Sequence, residues 1–252
     1  MTLVLPARAK LNLYLEVRER TNDGYHEIRT HIQAVELHDL LELTPADQTT
    51  MTLTGNHLPD ANDNSILKAH AAMQKAAGLE LPTRFHLDKR IPPGSGMGGA
   101  SSDAAAALRG LKAVHNIKEI DLSKIASTIG ADVPFFVTGG AAIAEGRGEK
   151  LTPIKVQHEW FAVAWPGIEL STADVYRAWD EVGGDGPNQL QRAASHVEPR
   201  LHDFAKHVGE EWQMTGSGSA FFLRCPDEQS ARKATAKLQC WTAVTRSVEA
   251  WS

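Results

Sequence analysis

Cysteine is nearly absent from this chain: Cys225 and Cys240 are the only two in 252 residues. They form no CxxC pair and no zinc-type spacing, which excludes a disulfide-stapled scaffold and leaves two reduced bystanders in a reducing cytoplasm as the expectation. Basic residues are not in excess either. With 26 Lys and Arg against 31 Asp and Glu, the net charge is −5. No global positive field invites nucleic acid or an anionic membrane, so a phosphorylated ligand must be held by local donors. Long apolar runs are lacking, and no stretch approaches a membrane span. The opening residues MTLVLPARAKLNLYLEV contain no basic segment followed by an apolar core and a cleavage site, so no secretory leader is expected. Internal repeats and low-complexity segments are also missing. A hydrophobic share of 42% and a charged share of 23% suit a globular chain that can bury a proper core in one large or two modest domains.

What is present is concentrated in Pro92 to Ala107, PPGSGMGGASSDAAAA. Gly94, Gly96, Gly98 and Gly99 let the backbone pass close to a ligand. They run into Ser101, Ser102 and Asp103, residue types that begin helices, and then into an alanine-rich helix expected over Asp103–His115. The first N–H groups of a helix lack internal partners, and the macrodipole adds partial positive charge there. A glycine loop feeding that end is a phosphate cradle; the alternative is a glycine-rich turn before an ordinary helix. Gly94-x-Gly96-x-x-Gly99 has the letters of the dinucleotide fingerprint, but Pro92-Pro93 interrupt the strand-to-glycine junction that fingerprint needs. No lysine ends the loop as in a P-loop, and HRD, DFG and APE are all absent.

Upstream, Leu11, Leu13, Leu15 and Val17 alternate with Lys10, Asn12, Tyr14 and Glu16, the pattern of a strand with one buried side. Lys10 and Asn12 share a face. Thr21-Asn22-Asp23-Gly24 predicts a turn before Tyr25-His26. Strands are expected over Ile28–Leu43, broken near His38-Asp39, and over Met51–Leu58 and Thr83–Lys89, with a helix over Asn64–Ala77. Beyond the loop come a short helix ending near Gly130, the block Gly130-Ala131-Asp132-Val133-Pro134-Phe135-Phe136, a helix over Thr172–Trp179, a glycine-rich break over Asp180–Pro187, and a second small-residue loop at Thr215–Ser219. Strands and helices mix without regular βαβ alternation, so the expected class is α+β.

Taken together, PARAKLNLYL, DGYHEI, PPGSGMGGASSDAAAAL, GADVPFF and TGSGSAFF resemble the blocks of the GHMP kinase superfamily, in its order, from residue 6 to residue 222. Within it they are most similar to the branch acting on a cytidine-diphosphate-linked methylerythritol in the non-mevalonate isoprenoid route. The resemblance implies a two-part fold. An N-terminal part like a small-subunit ribosomal protein (1–150) binds ATP, a ferredoxin-like C-terminal part (151–252) completes the substrate cleft, and the active site lies between them. It also implies an ATP- and Mg²⁺-dependent kinase with a small-molecule acceptor, cytoplasmic, monomeric or homodimeric. Two rivals stand beside this reading: a GHMP kinase for homoserine, mevalonate or a sugar, and a catalytically silent nucleotide sensor.

The resemblance also assigns residues. Pro92, Pro93, Gly94, Ser95, Gly96, Met97, Gly98, Gly99, Ala100, Ser101 and Ser102 form the ATP cradle, and Lys89 approaches adenine or ribose. Ser101 or Ser102 offers a hydroxyl to the metal, the alternative being plain helix capping. Asp132 is the candidate base, against a turn or capping aspartate. Lys10 is its electrostatic partner, which on the residues alone is a solvated strand lysine. Asn12 contacts the polyol. Tyr25 stacks on cytosine, His26 hydrogen-bonds its edge, and Tyr176 closes the far side, or else packs on the core. Residues 180–200 are shorter and more polar than the family commonly shows, and Asn188-Gln189-Leu190 stands as a remnant of its Asn-Asp-Leu block.

Overall fold

The structure, a computed structural model, describes residues 1–21, 24–55 and 64–251. Strand β1 (Leu3–Arg20) pairs antiparallel with β2 (His26–Pro45), placing Lys10 opposite Ala34 and Asn12 opposite Ile32. Gly24 donates its N–H to Thr21 O at 2.9 Å; Asn22 and Asp23 of the expected turn lie outside the described residues. β3 (Thr50–Gly55) covers the start of the strand expected to reach Leu58, whose last three residues also lie outside them. With β4 (Thr83–Lys89), β5 (Ala141–Gly146) and β6 (Lys150–Ile154), these strands form one sheet in the order β3-β4-β2-β5-β6, with β1 on β2. The expected division at 150/151 passes through β6.

Helices cover this sheet: α1 (Ser65–Ala77), α2 (Gly99–Val114), α3 (Leu122–Ser127) and α4 (Val133–Thr138). α1 is capped by Asn64, whose side chain accepts from Ile66 N, and ends at Gly78 with φ 64°. Ala104 to Ala107 of α2 are all buried on every side. Alanine allows that close approach, and at Gly110 even a methyl would fall 2.6 Å from Leu43 Cδ1 of β2.

The second sheet has the order β10-β7-β9-β8, from β7 (Trp160–Trp165), β8 (Gln213–Met214), β9 (Phe221–Cys225) and β10 (Trp241–Arg246). It packs with α5 (Thr172–Val182), α6 (Leu190–Val197), α7 (Arg200–Val208) and α8 (Glu228–Thr235). β1 joins everything. Ala7 belongs to the first core, Leu15 and Val17 to the second, and Ala9, Leu11 and Leu13 to a third cluster between the sheets with Phe161, Val163 and Phe222. The chain end returns to the first lobe, where Trp251 donates to Phe136 O and lies under Arg8 and Arg109. Among the described residues no helix is long and apolar enough to cross a membrane.

Three expectations are corrected, and one block left without an assigned element gains one. β2 is continuous through His38-Asp39, because Asp39 is wholly buried against Lys89, Arg90 N and Ile91 N, just ahead of the glycine loop, rather than solvated. The block after Ala131 folds as helix α4, with Pro134 in its first turn, where a missing N–H costs no bond. α5 runs past Trp179 to Val182, so Asp180 is helical. α2 begins at Gly99, four residues earlier than expected, with Gly98 (φ 72°) as its N-cap and no side-chain cap.

Candidate active site

That early start builds the cradle. Glycine at φ 72° is a conformation other residues seldom adopt, and it turns the loop directly into the helix. Among the described residues, the N–H groups of Gly99, Ala100 and Ser101 find no protein acceptor; the first bond of the turn runs from Ser102 N to Gly98 O (2.9 Å). Plain helix capping by Ser101 or Ser102 is therefore excluded. Three free amides at the positive end of a fully formed helix can hold an anion. Met97 side chain is buried in the inter-sheet core, and its carbonyl accepts from Lys10 N at 3.0 Å. Below, the loop packs backbone-to-backbone on the second small-residue loop: Ala220 N donates to Ser95 O at 2.9 Å, and any Cβ at Gly96 would collide with Thr215 O.

The loop borders a cleft of about 470 Å³. Its walls include Pro92, Pro93, Gly94, Ser95, Gly96, Gly98, Gly99, Ala100 and Ser101, together with Lys10, Asn12, Asp132, Arg147 and Tyr176. Of the expected cradle residues, Met97 and Ser102 are not on this wall; both side chains are buried.

Lys89, expected at adenine or ribose, forms part of the wall but spends its ammonium elsewhere. The ammonium lies between Asp39 and Asp103, 2.9 Å from Asp103 Oδ2. Asp39 also accepts from Arg90 N (2.6 Å) and Ile91 N (2.7 Å), tying the loop's entry strand down. One cation thus serves two buried carboxylates, and Asp103 Oδ1 has no hydrogen-bond partner among the described residues. Desolvation, with Asp39 adding to it against the opposing pull of Lys89, pushes the Asp103 carboxyl up to about 7.

Lys10 and Asn12 are 5% and 4% exposed, so the strand expected to have one solvated side is covered on both here. The cover is the second small-residue loop: Asn12 N donates to Thr215 Oγ1 (2.9 Å), and a Cβ on Gly216 would lie 3.0 Å from Lys10 Nζ. Lys10 Nζ donates to Asn12 Oδ1. Asn12 Nδ2 donates to Thr30 Oγ1 (2.8 Å), which donates to Tyr14 O (2.6 Å), fixing the amide's orientation. Burial lowers the Lys10 pKa, and the charge of Asp132 opposes that fall. Asp132 stands at the N-cap of α4, yet its side chain caps nothing and makes no hydrogen bond or ion pair among the described residues. Its carboxylate is half-buried on the cleft wall with no structural task.

At the other end, His26 and Tyr25 part company. Tyr25 is 56% exposed, with the Arg147 guanidinium 3.8 Å above its ring. His26 is buried and set back from the cleft wall. Its Nε2 is 2.7 Å from Asp180 Oδ1, and Arg20 approaches the other oxygen, Asp180 Oδ2, at 3.5 Å. Tyr176 stacks on His26 at 5.7 Å and 13°, and Trp179 meets it edge-on at 5.1 Å. Burial, then the Asp132 charge, raises the Tyr176 pKa.

Sequence reasoning missed Asp39, Asp180 and Arg147. Asp39 carried one usable signal, an aspartate on the period-two face of Val35, Leu37, Leu41 and Leu43. Asn188 proved more than a remnant: its Nδ2 donates to Met214 O (2.6 Å) and Gly216 O (2.9 Å), while Leu15 N and O bond Pro187 and Gln189. The polar segment after α5 thereby clamps β1 to the second loop.

An amide-lined helix start, a buried lysine and a disengaged aspartate across one interlobe cleft define a GHMP-type small-molecule kinase. The family described as GHMP kinases N terminal domain matches residues 64–140. A curated 4-diphosphocytidyl-2-C-methyl-D-erythritol kinase from Pseudomonas syringae pv. tomato is 36% identical, covering 94% of this chain and 90% of that relative. A crystal structure of 4-(cytidine 5'-diphospho)-2C-methyl-D-erythritol kinase superposes with TM-score 0.84 at 33% identity, covering 97% of this chain and 99% of the other. A homoserine kinase from Cytophaga hutchinsonii shares the fold at TM-score 0.69 and 18% identity, over 99% and 95%. This chain belongs to the 4-diphosphocytidyl-2-C-methyl-D-erythritol kinase family.

Proposed function

We propose that the enzyme transfers the γ-phosphoryl of ATP to the 2-hydroxyl of 4-diphosphocytidyl-2-C-methyl-D-erythritol, with Lys10 and Asp132 at the reacting oxygen. The observation that carries the roles is convergence: a carboxylate with no structural task and a buried ammonium share one cleft with the free amides of α2. Phosphoryl transfer is chiefly positioning and electrostatics. In this reading the amides of Gly99, Ala100 and Ser101 hold the triphosphate. Asp132 accepts the hydroxyl proton or orients it, Lys10 stabilises the charge that develops on the oxygen, and Asn12 steers the polyol. Tyr25, His26 and Tyr176 form the pyrimidine end.

Among the described residues no three His, Cys, Asp or Glu side chains cluster as a metal cage. Hard oxygen donors do stand on the wall, the Ser101 hydroxyl and the Asp132 carboxylate. That set fits Mg²⁺, which prefers few protein ligands beside phosphate oxygens and water. Bound with ATP, it would neutralise phosphate charge, with Ser101 the residue placed to hold it. The free thiols of Cys225 and Cys240 support a reducing cytoplasmic setting.

An acceptor panel with ATP tests this. The cytidyl alcohol should be phosphorylated, and homoserine, mevalonate and simple sugars should not. Preference for any of those, with the cytidyl alcohol inert, overturns the reading; turnover of none of them points to a silent sensor. His26→Ala should raise KM for the cytidyl alcohol about 10-fold or more, the scale of a lost base contact, and leave KM for ATP nearly unchanged. Equal rises would remove His26 from the pyrimidine end.

A further inference from the structure

We propose that Arg147 is the diphosphate-binding residue of the acceptor subsite, an assignment that rests on the acceptor proposed above. Arg147 stands in the β5–β6 hairpin turn, between Gly146 (φ 71°) and Gly148 (φ 111°). Its backbone N–H donates to Glu149 Oε2 at 2.7 Å, which sets the turn. Two positions define where it sits. A Cβ on the next residue, Gly148, would lie 3.6 Å from Asp132 Oδ1, at the alcohol end. The Arg147 guanidinium lies 3.8 Å over the Tyr25 ring, at the pyrimidine end. An acceptor that spans these ends must place its diphosphate between them, and Arg147 is the cleft-wall cation located there.

The chemistry matches. A guanidinium presents planar paired donors to phosphate oxygens and forms charge-assisted, often bidentate, bonds. A chain of net charge −5 supplies no general field for a dianionic linker, so the contact must be local. The perch on Tyr25 adds a consequence. Arg147 covers a ring face on which a pyrimidine would stack, so base and guanidinium compete for it. A diphosphate offers the guanidinium charge-assisted bonds in exchange for that ring contact. Stacking of the base and capture of the diphosphate are then one coupled exchange.

Calorimetric titration of the wild type, Arg147→Gln and Arg147→Lys with cytidine and with CDP tests this, the glycine loop being filled by a non-hydrolysable ATP analogue. Arg147→Gln should weaken CDP binding about 10- to 100-fold, the scale of a lost charge-assisted bond. Cytidine binding should hold or tighten as the ring face is vacated, and Arg147→Lys should recover part of the CDP affinity. Equal losses for both probes would make Arg147 a mere prop for Tyr25, and an unchanged CDP affinity would remove it from the subsite; either result overturns the proposal while leaving the acceptor intact. A wild type that binds neither probe overturns the acceptor and the subsite together.

Discussion

Asp132→Asn is expected to cut kcat by about 10²- to 10⁴-fold, the usual contribution of a positioned general acid or base, while ATP affinity stays near wild type. The substitution is isosteric. Because the native carboxylate neither caps α4 nor pairs with a cation at bonding distance, its removal should leave the melting temperature unchanged, so lost turnover reports chemistry rather than folding. A second signature follows from Lys10. Burial already lowers its pKa, and Asp132 is the charge opposing that shift. With the carboxylate gone, the ammonium should lose its proton at a lower pH, and the alkaline limb of the residual pH–rate profile should move down. A variant with wild-type kcat refutes Asp132 as the group at the reacting oxygen. One that no longer binds ATP assigns it to the nucleotide instead.

Lys89→Met should be the most destabilising substitution in the cleft wall. It leaves Asp39 and Asp103, both buried, facing each other with no cation. Breaking a buried ion pair from one side costs about 3–5 kcal/mol, measurable as a lower urea midpoint. The entry to the glycine loop hangs on Asp39 through Arg90 N and Ile91 N, so KM for ATP should rise as well. A loss under about 1 kcal/mol, the range of exposed pairs, would show that the cluster is not buried in solution.

The pH dependence of the same cluster has a defined sign. Asp103 is pushed up to about 7 in the fold, against roughly 3.9 in an unfolded chain. Across that window the folded protein holds more protons than the unfolded one, so this group's contribution makes stability fall as pH rises from about 4 to about 7. Asp103→Asn, which mimics the protonated carboxyl, should remove that slope and gain relative to wild type toward neutral pH. Parallel pH–stability curves for the two proteins would contradict it.

The glycine loop, the alternation of β1 and the Asp132 block were legible because each is local. Glycine runs, period-two side chains and an aspartate among apolar residues two positions before a proline announce themselves within a few residues. Even so, the start of α2 was misplaced. Serine and aspartate are good caps in general, but the backbone reversal at Gly98 brings the helix forward and leaves Ser101 to face the cleft. Lys10 shows a second kind of limit. Its alternation with apolar neighbours is that of a solvated lysine, and what buries it is a loop more than two hundred residues away.

The linear chain thus determined which chemical groups exist and how the backbone bends near them: a glycine loop running into a helix, a lysine and asparagine on one strand face, an aspartate flanked by apolar residues. Tertiary structure alone decided which of these share a cavity and what else joins them. Asp39 reaches under the loop from fifty residues upstream of Lys89, Asp180 reaches His26 from the other lobe, and Arg147 settles over Tyr25 from the far hairpin. Such pairings rest on desolvation and Coulomb energy, which depend on distances through space, and separation along the chain carries no record of them.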